Sequence, residues 1–390
     1  MIPTTGNNVF LKDGTRYKIG PRVAEGGEGI VYEIQGKSHL LLKIYKSNKR
    51  ADPEKWDMLR QKIEAFEAMH AGLSQITSDV CWIQNAVYYQ HKFQGYIVPR
   101  VHGIKLSEWF TQMYNSQTMD EYAILNIARN IAKTIRALHN INIGKNEWPI
   151  IVGDLQPQNI ILNEKNNHIT LIDSDSFMIG GHECDVQLPT YISPERLQNP
   201  NRIRTCDEEN YVLAYLFFHL FMFYGMVQPY PHKNGPSSHE ECVKLGFFAY
   251  TQNPSLIDPH CVDRWNALSA EIRELFKRAF HDTHPVNNPS GQKRRPTPDE
   301  WYNVLAGLPQ PGRIQRPSGP RHTGYPNTVN QAAKQNGGGA QGSATTPPPT
   351  APPTAPATAP ATSPSADNEA TGCVIFIIFI AICWLISQFC

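Results

Sequence analysis

Val152-Gly-Asp154-Leu-Gln-Pro-Gln-Asn159-Ile-Ile-Leu162, followed by Leu171-Ile-Asp173-Ser-Asp175-Ser176-Phe177, decides how the rest of the chain is read. Each acidic turn follows a short apolar run, Ile150–Val152 or Ile169–Ile172, and a third run, Ile160–Leu162, predicts a hairpin linking the two turns. Such a hairpin converges Asp154, Asn159 and Asp173. Carboxylate and amide oxygens of this kind hold Mg²⁺ together with phosphate oxygens. A second carboxylate nearby can orient a hydroxyl and take its proton. The plainer alternative is a pair of Asx turns capping strands. Order, spacing and apolar context together favour the site.

N-terminal to this stretch, β-like runs are expected at Arg16–Ile19, Ile30–Ile34 and His39–Tyr45. Between the first two lies Ala24-Glu-Gly26-Gly27-Glu-Gly29-Ile-Val31-Tyr. Glycines there let the backbone approach phosphates and leave N–H groups facing them. A strand on both sides disfavours a dinucleotide fingerprint, which needs a helix next. Taken alone, the segment reads equally as a glycine-rich hairpin. Lys43, inside the apolar run Leu40–Tyr45, is costly there unless it meets an anion, and it follows the glycine segment closely enough to reach phosphate oxygens. An edge-strand lysine facing solvent is the equal alternative. Pro53–His70 predicts a helix with proline in its first turn, and Val87–Tyr89 and Tyr96–Val98 predict two further strands.

A long helix is expected after the two strands, and the C-terminal third of the globular part reads as helical. Ile124, Ile127, Ala128, Ile131, Ile135 and Leu138 fall on one helix face. Tyr211–Tyr224 is apolar on nearly every side and precedes Gly225, which predicts a buried central helix ending at that glycine. A small strand-rich lobe followed by a larger helical lobe is the expected α+β architecture.

The order of glycine loop, strand lysine, Asp154-x-x-x-x-Asn159 and then Asp173 after an apolar strand resembles the protein kinase superfamily. Pro189-Thr-Tyr-Ile-Ser-Pro194-Glu195 resembles the segment that closes the activation loop. Arg295-Pro-Thr-Pro-Asp-Glu-Trp301 resembles the late motif whose arginine pairs with that glutamate, and Thr297 with Glu300 also forms a capping box. The wording of these blocks is similar to bacterial serine/threonine-type kinases often fused to helix-hairpin-helix segments. The resemblance covers roughly Tyr17 to Leu308. It implies a two-lobed domain over 1–308, with an N-lobe at about 10–101 and a C-lobe at about 102–308.

The resemblance also implies roles. Ala24, Gly26, Gly27, Gly29 and Val31 would form the nucleotide loop, and Lys43 would bind the α- and β-phosphates. Glu64 would be the helix partner of Lys43, with Glu67 as the alternative. Val98, Pro99 and Val101 would border adenine; proline at 99 needs only to offer a carbonyl, while Val101 supplies the N–H. Asp154 would be the catalytic aspartate, and Asn159 and Asp173 the Mg²⁺ ligands. The chain departs from the family pattern at Gly153 in place of an arginine, Gln156 in place of a lysine, Ser174-Asp175 in place of Phe-Gly, and Glu209 where the central helix usually begins with aspartate. Losing a charge contact to the transferring group raises a barrier. Two functions follow: a protein kinase transferring the ATP γ-phosphoryl group to Ser/Thr hydroxyls, or a nucleotide-binding pseudokinase acting as a membrane-tethered scaffold.

Composition fits these readings. With 41% hydrophobic residues the chain can build a core, and a net charge of +1 offers no bulk attraction to nucleic acid. The eight cysteines include no Cys-x-x-Cys pair, which disfavours a zinc ribbon and predicts free thiols in a reducing compartment. His281 and His284 have a ligand-like spacing but no supporting ligands, so they read as surface histidines. Residues 309–370 are rich in Pro, Ala, Thr, Ser and Gly and predict a disordered linker. Within 371–390, the uncharged run Gly372–Cys390 would span roughly 28 Å as a helix, which predicts a single-pass C-terminal membrane anchor with the kinase part cytosolic.

Overall fold

Six short strands close on one another in the N-terminal part. They are β1 (Asn8–Phe10), β2 (Arg16–Glu25), β3 (Gly29–Ile34), β4 (Leu40–Tyr45), β5 (Asn85–Tyr89) and β6 (Lys92–Pro99), ordered β1-β2-β3-β4-β6-β5. All pairs are antiparallel, and Phe10 opposite Tyr88 closes the barrel. Val9, Ile19, Ile34, Leu42, Ile44, Val87 and Ile97 fill one cluster. Each such fully buried aliphatic side chain contributes about 1.5–3 kcal/mol against exposure. The structure is a computed structural model, and it describes residues 2–141, 149–183, 191–230 and 239–311.

Helix α1 (Pro53–Ile76) starts where expected, because the Asp52 side chain accepts from the N–H groups of Glu54 and Lys55 and Pro53 opens the first turn. It runs beyond the predicted His70 and buries Ile63, Phe66 and Leu73. Those residues join a second, larger cluster that continues through the C-terminal part.

The C-terminal part is mainly helical: α2 (Leu106–Asn115), α3 (Glu121–His139), α4 (Pro194–Gln198), α5 (Cys206–Phe221), α6 (His239–Leu245), α7 (Ala249–Gln252), α8 (Pro259–Ala267), α9 (Ala270–Lys277) and α10 (Pro298–Gly307). A three-stranded sheet, β7 (Ile104–Lys105), β8 (Ile160–Asn163) and β9 (His168–Leu171), lies among them. α3 buries Ile124, Ile127, Ala128, Ile131, Ile135 and Leu138, the six residues whose spacing predicted it. α5 is buried from Glu208 to Phe221 and opens on a Thr205–Glu208 capping box. It ends at Phe221, earlier than Gly225, because Phe223 and Tyr224 both take positive φ before the glycine is reached. Ile150–Val152 is not a strand; Ile151 makes only an isolated bridge with Met178. Arg295, 1% exposed, donates to Glu195 at 2.6 Å and to Asp207 at 2.8 Å, the pairing expected of the two late segments. The Thr297–Glu300 capping box is also present.

Two expectations need correction. Among the described residues, no helix is long and apolar enough to cross a membrane, which overturns the single-pass anchor. The 24-residue α1 carries Glu54, Lys55, Asp57, Arg60, Lys62, Glu64 and Glu67, and the apolar α5 has only 16 residues. The run at 371–390 and nearly all of the expected linker at 309–370 lie outside the described residues. His284 is not a surface histidine: it is fully buried, close to the Val243 carbonyl at 2.7 Å, and accepts from the Val286 N–H. Cys81, Cys206, Cys242 and Cys261 are free thiols.

Candidate active site

Strand register puts the expected nucleotide residues in one cross-strand row. Ala24 lies opposite Val31, Val31 opposite Lys43, and Lys43 opposite Tyr96. Directly paired residues share a face of a sheet, and residues two apart along a strand share it too. The row therefore extends to Tyr45, which follows Lys43 on β4, and to Val98 and Leu41, which pair with each other. Two residues beyond Val98 the strand has ended. The Val101 N–H makes no hydrogen bond among the described residues, whereas the Pro99 carbonyl accepts from the Cys81 thiol at 3.3 Å. The Val101 N–H is thus unpaired among the described residues, and Pro99 already has one weak partner for its carbonyl.

Gly26, Gly27 and Glu28 form the short turn between β2 and β3, closed by the Gly26 N–H donating to the Gly29 carbonyl at 2.9 Å. A Cβ at Gly27 would meet nothing within 4 Å, and one at Gly26 would meet only the Gly29 carbonyl at 4.0 Å. The space beside them is open. Gly29 differs. A Cβ there would lie 3.0 Å from the Ile44 carbonyl and 3.3 Å from Cγ of Lys43, so this glycine makes room for the lysine stem.

Lys43 ends among carboxylates. Its Nζ donates to Oδ1 of Asp173 and, at 3.1 Å, to both oxygens of Asp175. Burial alone would lower the lysine pKa, but the two carboxylates outweigh it and raise it, so Lys43 is charged. Asp173 occupies the left-handed region (φ 64°, ψ 45°), which aspartate tolerates better than most residues. The turn after it is pinned by two serines: Ser174 donates to the Cys81 carbonyl at 3.0 Å and Ser176 to the Val152 carbonyl at 3.1 Å. The Asp173 side chain keeps 39% of its surface open, and its Oδ2 has no protein partner among the described residues. Burial, tempered by that open edge, and the neighbouring Asp175 carboxylate raise the Asp173 pKa above an ordinary aspartate's. A cation at Oδ2 would relieve both effects.

Asp154 and Asn159 meet beside this turn. Oδ2 of Asp154 accepts from Nε2 of Gln156 and from Nδ2 of Asn159, each at 2.8 Å. Oδ1 of Asp154 and Oδ1 of Asn159 have no hydrogen-bond partner among the described residues. Burial raises the Asp154 pKa, against the pull of the two amides. The Ile172 N–H donates to the Asn159 carbonyl at 2.9 Å, which ties the two acidic turns together one residue from Asp173. The expected hairpin, β8 paired with β9, carries both turns. Lys43, Asp154, Asn159 and Asp173 thus form one connected constellation with three oxygens available to ligands. It is chemically suited to Mg²⁺ and phosphate.

Glu64 stands apart from that constellation. It accepts from the Tyr88 hydroxyl and from Arg60, and pairs with Lys12 at 3.1 Å. Glu67 accepts from Nδ2 of Asn85 at 3.1 Å and from the Ala86 N–H at 3.3 Å. Neither Glu64 nor Glu67 meets Lys43; Asp175 fills that place. Asp175, Tyr45, Tyr96 and the contact of Gln156 with Asp154 are the site features that sequence reasoning did not assign. Alternation along β4 and β6 already put both tyrosines on the lysine's face.

Behind Asp154, Gly153 (φ 75°) turns its N–H to Oε1 of Glu209 at 3.0 Å. Oε2 of the same glutamate lies 2.7 Å from Nε2 of His139. Burial would lower the His139 pKa, but hydrogen bonds to Cys206 and Glu209 and the charge of Glu209 raise it to about 9. The folded-state value lies above the unfolded one of about 6.5. The contribution is therefore complete below about pH 6.5 and is lost as pH rises through about 9. It amounts to on the order of 3 kcal/mol. Urea midpoints measured between about pH 6 and pH 9.5 should fall for the wild type and fall much less for His139→Gln. Parallel curves for the two proteins would remove the charged pair from the account.

Two curated relatives carry the name of a protein kinase. The chain is 27% identical over 326 residues to Protein kinase YegI of Escherichia coli (strain K12), covering 78% of this chain and 47% of that protein. It is 27% identical over 311 residues to Protein kinase YegI of Escherichia coli O157:H7, covering 75% and 44%. The chain spans about half the length of these curated relatives. No family model matches it. At this identity the similarities support a kinase-like function and leave its finer chemistry to the residues themselves.

Proposed function

We propose that residues 1–308 form a two-lobed protein-kinase-like domain that uses ATP and Mg²⁺ to phosphorylate Ser/Thr hydroxyls of a protein substrate. The observation that carries this reading is the meeting of Lys43, Asp154, Asn159 and Asp173 beside the open glycine turn, with free oxygens on the last three. Lys43 would hold the α- and β-phosphates under the Gly26–Gly27 turn. Mg²⁺, held by Asn159 and Asp173, would neutralise phosphate oxygens. Oδ1 of Asp154 would accept the proton of the attacking hydroxyl while the bond between the γ-phosphorus and ADP breaks. Ala24, Val31 and Val98 would cover the nucleotide base, with the Val101 N–H as donor.

A pseudokinase reading has one observation in its favour. Gln156 donates to Asp154 where a lysine would bring a positive charge to the transferring group. Such a protein binds nucleotide without useful transfer.

Thermal unfolding of the whole chain with and without Mg-ATP is the first test. A ligand at 100 times its Kd adds about 2.7 kcal/mol to native stability. Mg-ATP should raise Tm in the wild type and fail to do so in Lys43→Ala. Equal shifts in both proteins, or none in either, would defeat nucleotide binding at this site. Phosphate transfer from labelled ATP, absent in Asp173→Ala, then separates the kinase from the pseudokinase.

A further inference from the structure

In the wider family pattern Lys43 would be held by a glutamate of α1, yet Asp175 takes that place with all of its acceptor capacity in use. Oδ1 of Asp175 accepts from the Tyr96 hydroxyl at 2.8 Å and from Lys43 at 3.1 Å. Oδ2 accepts from the Tyr45 hydroxyl at 2.6 Å and again from Lys43 at 3.1 Å. The side chain is 5% exposed. A carboxylate that takes four hydrogen-bond contacts from three donors, Lys43 Nζ bridging its two oxygens, has no direction left for a metal ion. Asp173, two residues earlier, is its complement: one oxygen on Lys43, the other open. The two aspartates divide the work.

The geometry points to Asp175 as the positioning residue for Lys43, held by the hydroxyls of Tyr45 and Tyr96, with Asp173 left as the metal ligand. This deepens the nucleotide-binding reading of the site and rests on it. Tyr45 and Tyr96 come from β4 and β6, and Asp175 follows β9, so the clamp spans sheet and turn without α1. Glu64 and Glu67 of α1 face β5 and Lys12. Among the described residues Lys43 therefore donates no hydrogen bond to α1, which touches the clamp through the edge-on contact of Trp56 with Tyr45 at 5.6 Å.

The test uses the whole chain and four variants: Asp175→Asn, Tyr45→Phe, Tyr96→Phe and Glu64→Gln. The first readout needs no nucleotide. Labelling of Lys43 by a small amine-reactive reagent, followed by mass spectrometry, should speed up in Asp175→Asn and, less, in each Phe variant, and stay at the wild-type rate in Glu64→Gln. The second readout is Mg-ATP affinity and its Mg²⁺ dependence. Asp175→Asn should weaken affinity on the order of 100-fold, the scale of a lost buried charge contact, with the Mg²⁺ midpoint unchanged. Lys43 labelling in Glu64→Gln as fast as in Asp175→Asn, or a Mg²⁺ midpoint raised about tenfold in Asp175→Asn, would overturn the assignment. If Asp175→Asn unfolds, the two Phe variants, each missing one hydroxyl, decide the labelling arm. A wild type that shows the labelling pattern but binds no Mg-ATP would sink the nucleotide reading and leave the clamp standing; unchanged labelling in all variants would sink the clamp alone.

Discussion

Asp154→Asn should cut phosphoryl transfer by about 10²–10⁴-fold, the usual worth of a positioned general base, while Mg-ATP affinity changes less than about threefold. The asymmetry follows from hydrogen bonding. Oδ2 of Asp154 faces two amide donors, Gln156 and Asn159, and Oδ1 faces none. An asparagine here must keep its oxygen toward those two donors, because an NH₂ group in that direction would leave three donors facing one another. Its NH₂ then points where the acceptor hydroxyl would stand. A group that must take a proton is replaced by one that offers hydrogens. The swap preserves shape and the two amide contacts, so folding and nucleotide binding should persist. Single-turnover transfer from labelled ATP, beside nucleotide affinity, checks this. Transfer within about threefold of wild type would show that Asp154 is not the base; affinity falling as far as turnover would give it a structural role instead.

Local pattern carried much of this site to the page, and tertiary context carried the rest. Asp154, Asn159 and Asp173 were legible because a hairpin of two short apolar strands is a local structure, and the β8–β9 pairing realises it. The Arg295–Glu195 pair was legible only through resemblance, since 100 residues separate its partners. β1 was missed because three residues carry too little alternation, and its pairing through Phe10 and Tyr88 is remote in sequence. The helix partner of Lys43 was misread for a similar reason. Glu64 occupies a helix position expected to reach the lysine, but Asp175, 132 residues from Lys43 and itself held by Tyr45 on the lysine's own strand and Tyr96 on the next, takes that place. No spacing rule reports that contact. The α5 terminus shows the same limit at short range: Gly225 is a sound stop signal, yet the backbone leaves the helix at Phe221.

Gly95→Ala should destabilise the fold at or above the roughly 1–3 kcal/mol usual for overpacking, with the loss centred on the strand that carries Lys43. Gly95 lies on β6 opposite Ile44, beside the irregular register between β5 and β6 at Val87 and Tyr88. A Cβ at this position would stand 1.9 Å from the Lys43 carbonyl oxygen and 2.9 Å from its carbonyl carbon. Those atoms are backbone and cannot rotate away as a side chain would. The clash is relieved only if β4 and β6 separate, which breaks the ladder holding Lys43 opposite Tyr96. Glycine inside a strand usually weakens it, and its presence here marks a close backbone approach. Gly27→Ala is the matched control, since a Cβ there meets nothing within 4 Å. Urea unfolding of the two variants should give a lowered midpoint for Gly95→Ala and a wild-type midpoint for Gly27→Ala. Equal midpoints for all three proteins would mean that β4 and β6 are not packed as closely as the structure has them, and that the geometry at Lys43 must be redrawn with them.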